Sequence, residues 1–219
     1  MTTRYEVTKR AMDIAVAATV LLASTPAAIA AVWMIKREDG GPILYRGIRI
    51  GRGGRPFAML KFRSMVIDAA RLGSASTADD DPRLTRTGRM LRRWKLDELP
   101  QLVNVLAGDM SLVGPRPQVA SDVARYTDRE RRLLDVRPGI TDWSSILFRD
   151  EGGILAGHDD VDRAYDELIR PRKIQLGLEY VDRRSLGTDL RILGLTALAL
   201  AGYPHVDRLL PAPPEPVRG

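Results

Sequence analysis

Residues 95–118 read KLDELPQLVNVLAGDMSLVGPRPQ, and this stretch sets one helix between a charged entry and a proline-locked exit. Leu99, Leu102, Val103 and Leu106 recur at helical spacing. Pro100 suits a first helical turn, where its missing N–H costs nothing. Gly108 closes the helix, and Gly114-Pro115-Arg116-Pro117 cannot continue it. Two adjacent carboxylates, Asp97 and Glu98, are therefore expected at a helix N-terminus, facing unpaired N–H groups and the positive end of the dipole. That setting is expected to keep Asp97 ionised. Arg89, Arg92, Arg93 and Lys95 lie just upstream.

Such a mixture suits phosphoryl chemistry. Cations and helix N–H groups hold phosphate oxygens, and a carboxylate either binds a hard metal ion or attacks phosphorus itself. Consecutive helical residues point about 100° apart, so the two carboxylates need not share a role. The pair taken alone reads equally as an acidic first turn that complements the dipole.

Composition narrows the field. The chain has 219 residues, 44% of them hydrophobic, enough for one ordinary domain with appendages. A net charge of +6 directs it toward polyanions: nucleic acid, anionic lipid or phosphorylated substrates. With three Phe, six Tyr and three Trp, a stacking platform for single-stranded nucleic acid is poorly supported. The absence of cysteine removes disulfide and thiolate chemistry. His158 and His205 are too few and too far apart for a histidine metal site or a triad.

Residues 14–35, IAVAATVLLASTPAAIAAVWMI, carry no charge over 22 positions, long enough to span a bilayer. A cleaved signal, a plain transmembrane anchor and a re-entrant helix compete. Arg4, Lys9 and Arg10 precede the run, while Lys36, Arg37, Arg46 and Arg49 follow it. Positive charge marks the cytoplasmic side, and here it marks both flanks. Pro26 sits near the middle, with Ser24 and Thr25 placed to satisfy the carbonyls its kink would free. These features favour a bend with both ends on one face.

Downstream, 43–45, 48–50 and 57–62 read as strands around a glycine-rich turn at 51–54. That turn lacks the GKS/GKT ending of a nucleotide P-loop. Lys61 and Arg63 alternate on one strand face, as a phosphate clamp or a solvated edge. A short helix is expected over 66–72, and a polar loop over 73–81. Helices are expected over 85–94, over 118–134 and over 162–181, the last interrupted at Pro171. Trp143 to Phe148 reads as core or interface, 190–203 as an interfacial helix, and 204–219 as disordered.

KFRSM at 61–65, the block from 80 to 117 and RPGIT at 137–141 resemble the bacterial sugar transferases, the monotopic polyprenyl-phosphate phosphoglycosyl transferases. The resemblance runs from Lys9 to about Leu200. It implies an α/β fold, mostly helical with a small β-hairpin, as a monotopic membrane protein. A re-entrant helix would occupy 1–39, and a catalytic domain with interfacial helices 40–203, on the cytoplasmic face of the inner membrane. The implied reaction moves a phosphosugar from a UDP-sugar to undecaprenyl phosphate with release of UMP. Asp97 would be the nucleophile and a Mg2+ ligand, Glu98 would place the metal or acceptor, and Arg92, Arg116, Lys61 and Arg63 would hold phosphates. The implied partners are these two substrates and membrane lipid, not nucleic acid, with room for a homodimer. Two positions depart from the pattern: Asp142 stands where glycine is more common, and Gly177 where an acidic residue is.

Overall fold

A computed structural model describes residues 2–72 and 76–211 of the chain. It is mostly helical with two small sheets. Helix α1 (Thr2–Ala23) and helix α2 (Thr25–Asp39) meet at 60° across Ser24. Pro26 lies in the first turn of α2, and the hydroxyls of Ser24 and Thr25 both donate to the Leu21 carbonyl, at 3.2 and 3.1 Å. The bend thus falls where the Ser-Thr-Pro sequence placed it, with a carbonyl freed by the break satisfied by side chains. No single helix among the described residues is long and apolar enough to cross a membrane, although this bent pair has the length and composition for it.

The hairpin follows as β1 (Leu44–Ile50) and β2 (Pro56–Phe62), antiparallel, with Tyr45 opposite Lys61. Gly53 and Gly54 take positive φ in its turn, a conformation glycine adopts without strain. Helix α3 (Arg86–Arg93) starts on Thr85, whose side chain accepts from the Gly88 N–H. A 3-10 turn (Leu96–Glu98) then leads into α4 (Gln101–Ala107), which ends on Gly108 at φ 95°. Beyond it, β3 (Ser111–Val113) pairs in parallel with β4 (Gly139–Thr141).

The C-terminal half is a set of helices: α5 (Ala120–Ala124), α6 (Trp143–Leu147), α7 (Glu151–Leu155), α8 (Val161–Leu168), α9 (Arg170–Arg183) and α10 (Leu186–Leu200). Pro171 does divide 161–183 into two helices, because it fits the first turn of α9 and not the middle of one long helix. Trp143 and Ile146 belong to the main core, with Val105, Met110, Leu176 and Ile192. Asp142 takes the N-cap of α6, accepting from the Ser145 N–H and from both neighbouring serine hydroxyls. Gly177 packs against Leu133 and Pro115, where a Cβ would come within 2.8 Å of the Leu133 Cδ2 and require that side chain to shift.

Several expectations are corrected. The helix expected over 118–134 is only α5 plus a 3-10 turn (Glu130–Asp135), with Tyr126 and Leu133 of this stretch buried in a separate cluster. The helix expected over 66–72 is a single 3-10 turn (Ala69–Arg71). Part of the polar loop, 73–75, and the end of the tail, 212–219, lie outside the described residues. The tail up to Pro211 is not structureless: Val206–Leu209 form a 3-10 turn, and Val206 is fully buried in the main core.

The N-terminal helix is tied to the rest of the chain through polar contacts. Lys9 reaches the buried Asp189 of α10 at 3.0 Å, and Tyr5 and Tyr180 bond the same carboxylate. Asp13 accepts from the Ser111 hydroxyl and the Leu112 N–H. Arg10 donates to the carbonyls of Val105 and Leu106, and Arg137 to that of Gly108, so two guanidinium groups cover the C-terminal end of α4. These contacts fix α4, and with it the turn that carries Asp97 and Glu98.

Candidate active site

Asp97 and Glu98 project from the 3-10 turn before α4, not from its N-cap, which is Pro100. Lys95, at φ 54°, redirects the chain out of α3, and Arg92 of that helix comes near Asp97. Glu98 is bracketed by cations. Arg116 donates to both its carboxylate oxygens, at 2.6 and 2.9 Å, and Lys61 donates to Oε1 at 2.9 Å. Arg116 also donates to the Ile140 carbonyl at 2.6 Å, which fixes the guanidinium against β4. Residues 61, 98 and 116, from the hairpin, the turn and the GPRP segment, thus meet at one point.

Asp97 is the contrasting member. It is buried, it makes no hydrogen bond or ion pair among the described residues, and its Oδ1 is enclosed without a partner. Burial pushes its carboxyl above the usual range, opposed by the nearby charges of Lys61, Arg92 and Lys95 and reinforced by Glu98. Asp97 lies in the turn before α4 rather than at the helix N-terminus that was expected to hold its charge. Desolvation acts against its charge, and the three basic side chains favour it. Glu98 lies well below the ordinary carboxylate range, because Arg116 and Lys61 more than offset the burial that works against its charge.

The other expected cations divide. Arg92 is close enough to Asp97 to favour its charge, and among the described residues its guanidinium makes one long hydrogen bond, 3.5 Å, to the Thr77 carbonyl. Arg63 leaves the cluster: its guanidinium pairs with Asp39 at the end of α2 and donates to the Pro42 carbonyl at 2.7 Å. Strand alternation placed it with Lys61, but β2 ends at Phe62, and just beyond it the Arg63 side chain takes Asp39 as its partner. Arg63→Gln is accordingly expected to reduce turnover less than about threefold. Arg116→Gln, which frees a half-buried Glu98 from its charge-assisted bonds, is expected to reduce it about 100-fold or more. Parallel rate measurements on the two variants check this.

The Arg63 pair has a second consequence. The guanidinium holds the Asp39 carboxyl down at about 2, with help from the Gly41 N–H. A depressed acid stabilises the fold above its unfolded value, and that contribution is lost as pH falls through the folded one. The junction of α2 with β1 is expected to stay intact at pH 4 and to loosen toward pH 2. Arg63→Gln is expected to shift that acid transition upward, as read by limited proteolysis at residues 39–43.

A hard cation finds partial provision here. No group of three or more His, Cys, Asp or Glu that could hold a metal occurs among the described residues. Magnesium, however, is commonly held by one or two carboxylates together with substrate phosphates and water. Asp97 fits that single-carboxylate role, whereas both oxygens of Glu98 are taken by cations.

Sequence reading missed three participants. Asn104 bonds the backbone of β2 on both sides, receiving from the Leu60 N–H and donating to the Ala58 carbonyl, and so seats α4 against the hairpin. Asp39 was not paired with Arg63. Among the described residues Gln101 is fully buried with neither end of its amide partnered, and nothing in its local sequence signalled that.

The family model described as bacterial sugar transferase matches residues 4–202. An uncharacterized sugar transferase, EpsL, of Bacillus subtilis (strain 168) is 35% identical over 188 residues, covering 86% of this chain and 84% of its own. The UDP-glucose:undecaprenyl-phosphate glucose-1-phosphate transferase of Escherichia coli (strain K12) is 34% identical over 195 residues, covering 86% of this chain and 39% of its own. The undecaprenyl-phosphate galactose phosphotransferase of Salmonella typhimurium is 37% identical over 205 residues, with the same two shares. The chain thus spans most of EpsL and well under half of the other two.

Proposed function

The chain belongs to the bacterial sugar transferase family, and from that premise we propose that it transfers a phosphosugar from a UDP-sugar to undecaprenyl phosphate, releasing UMP and initiating synthesis of a surface glycan. The observation that carries the reading is the asymmetry of the two carboxylates. Glu98 is neutralised by Arg116 and Lys61, while Asp97 stays buried and uncommitted beside Arg92.

In this reading an oxygen of Asp97 bonds the sugar-bearing phosphorus as the bond to UMP breaks, giving an acyl-phosphate intermediate. An oxygen of the lipid phosphate then bonds the same phosphorus, and the carboxylate leaves with its electron pair. Arg92 is free to hold phosphate oxygens beside Asp97. Arg116 and Lys61 hold Glu98 in place and offer their remaining N–H groups to a phosphate. A magnesium ion held by Asp97 and the diphosphate would offset the negative charge gathered there. Arg116 also lines an open cleft together with Tyr126, Asp142, Tyr165, Arg170 and Lys173, whose cations and aromatic rings favour a phosphorylated ligand.

The same reading seats α1 and α2 in the cytoplasmic face of the inner membrane as a bent, re-entrant pair. Leu22, Ile29 and Trp33 of that pair are well exposed, as are Leu190, Leu198 and Leu200 of α10. Apolar side chains turned outward on both segments favour contact with lipid. The test is UMP release from a panel of UDP-sugars with undecaprenyl phosphate and magnesium. Release with one donor, lost on chelation, is the expected result; no release with any donor by folded, membrane-bound protein would overturn the reading.

A further inference from the structure

We propose that Arg49 is a further phosphate-binding residue of the active site, its guanidinium joining that of Arg116 on a phosphate of one of the two substrates. The inference rests on the transfer reaction proposed above. In the sequence Arg49 is one of several charges that follow the apolar run. The fold gives it a more particular setting.

Strand register sets the direction of its side chain. Alternation puts Tyr45, Gly47 and Arg49 of β1 on one face, together with their cross-strand partners Lys61, Met59 and Phe57. Met59 is buried in the main core and Phe57 packs against it, so the middle of this face turns inward. At one end of the face Lys61 reaches Glu98. Gly47 leaves open the space that its neighbours use: a Cβ there would lie 2.9 Å from the Tyr45 ring and 3.3 Å from Nη1 of Arg49. The Arg49 guanidinium therefore folds back along β1 over Gly47, and Nη1 donates to the Ile48 carbonyl at 3.0 Å. The next residue ties the strand to the GPRP segment, because the Ile50 N–H bonds the Gln118 carbonyl at 2.9 Å. Ile50 and Gly51 also share the walls of one cleft with Pro115, Arg116 and Gln118.

The charge of Arg49 is only weakly compensated. Among the described residues no carboxylate bonds its guanidinium. Of the groups that favour its charge, Tyr45 is a hydroxyl and Asp122 is bonded to Arg125 at 2.7 Å. Partial burial acts against that charge, and so does Arg116, which is close enough to repel it. Arg116 and Lys61 meanwhile share a single carboxylate, Glu98. Three cations thus gather with one bonded carboxylate among them, and the excess positive charge suits an anion. A phosphate oxygen between the two guanidinium groups relieves their repulsion and accepts a charge-assisted hydrogen bond from each. Both substrates carry such an oxygen, one in the diphosphate of the UDP-sugar and one in the lipid phosphate.

The experiment compares full-length wild type with Arg49→Gln and Arg49→Lys in detergent micelles, using whichever UDP-sugar the wild type turns over. Arg49→Gln should raise the KM of one substrate about ten- to a hundredfold, with a melting temperature equal to or above that of wild type. Arg49→Lys, which keeps the charge and loses the planar fork, should fall between the two. A rise confined to the UDP-sugar assigns Arg49 to the donor diphosphate, and a rise confined to undecaprenyl phosphate assigns it to the acceptor. Unchanged KM values for both substrates would overturn the proposal. So would a rise in both with a lowered melting temperature, which marks a structural arginine. If the wild type turns over no donor, the transfer reading fails, and protection against thermal unfolding by inorganic pyrophosphate decides for Arg49 separately. Stabilisation of wild type that Arg49→Gln lacks supports the phosphate site; equal stabilisation, or none in either protein, overturns it.

Discussion

Asp97→Asn is expected to reduce UMP release by a factor on the order of 10^4 to 10^6, the scale seen when a covalent nucleophile is removed. The substitution keeps the shape of the side chain and removes its capacity to form an acyl phosphate. Its specificity as a test comes from the surroundings. Asp97 is buried, and among the described residues its side chain makes no hydrogen bond or ion pair, so removing its charge breaks no direct contact. Burial already disfavours that charge, and a neutral amide should leave stability unchanged or higher. Glu98, by contrast, cannot be changed without stranding Arg116 and Lys61. The measurement is UMP release alongside thermal melting in the same detergent, with intact mass to look for the adduct. An Asp97→Asn protein that melts normally and keeps more than a tenth of wild-type turnover would move the nucleophile elsewhere.

Gly139→Ala is expected to cost at least about 3 kcal/mol, or a melting temperature lower by about 6–12 °C. Gly139 and Gly114 pass each other backbone to backbone, and a Cβ on Gly139 would lie 2.1 Å from the Gly114 nitrogen and 2.4 Å from its carbonyl oxygen. No rotamer relieves a contact between a Cβ and main chain, so the strands must separate. The Gly139 N–H bond to the Pro115 carbonyl and the Gly114 N–H bond to the Thr141 carbonyl, each 3.0 Å, would be strained or lost. Arg116 would move too, because its guanidinium is steadied by the Ile140 carbonyl. Stability and activity should therefore fall together, unlike the result for Asp97→Asn. Gly194→Ala in α10, where a Cβ meets nothing within 4 Å, is the control and is expected to be neutral or stabilising by up to about 1 kcal/mol. Equal melting temperatures for the two alanine variants would contradict the close packing of Gly114 and Gly139.

These two predictions separate what was legible in the chain from what was not. The GPRP and RPGIT segments stood out as motifs, but their glycines gave no sign that each is the other's reason for being small. The Asp97-Glu98 pair stood out as well, and which carboxylate is neutralised was invisible. Glu98 takes its partners from positions 18 and 37 residues away, and spacing along the chain says nothing about such meetings. Arg63 shows the same limit: alternation placed it beside Lys61, and the end of α2, folded against the hairpin, gave it Asp39.

By itself the sequence determined a helix that closes on Gly108, a hairpin with its turn at Gly51–Gly54, and the break beside Pro26. Helical periodicity, proline's fixed φ and glycine's freedom at positive φ act over a few residues and need no distant partner. Only the tertiary structure decided that Asp97 is buried and uncommitted, that Glu98 is saturated, that Gln101 is enclosed without a partner, and that Lys9 and Asp13 bind the first helix to α10 and β3. Burial and ion pairing depend on which remote segments fold against a residue, and the cost of removing a charge from water is set by that enclosure.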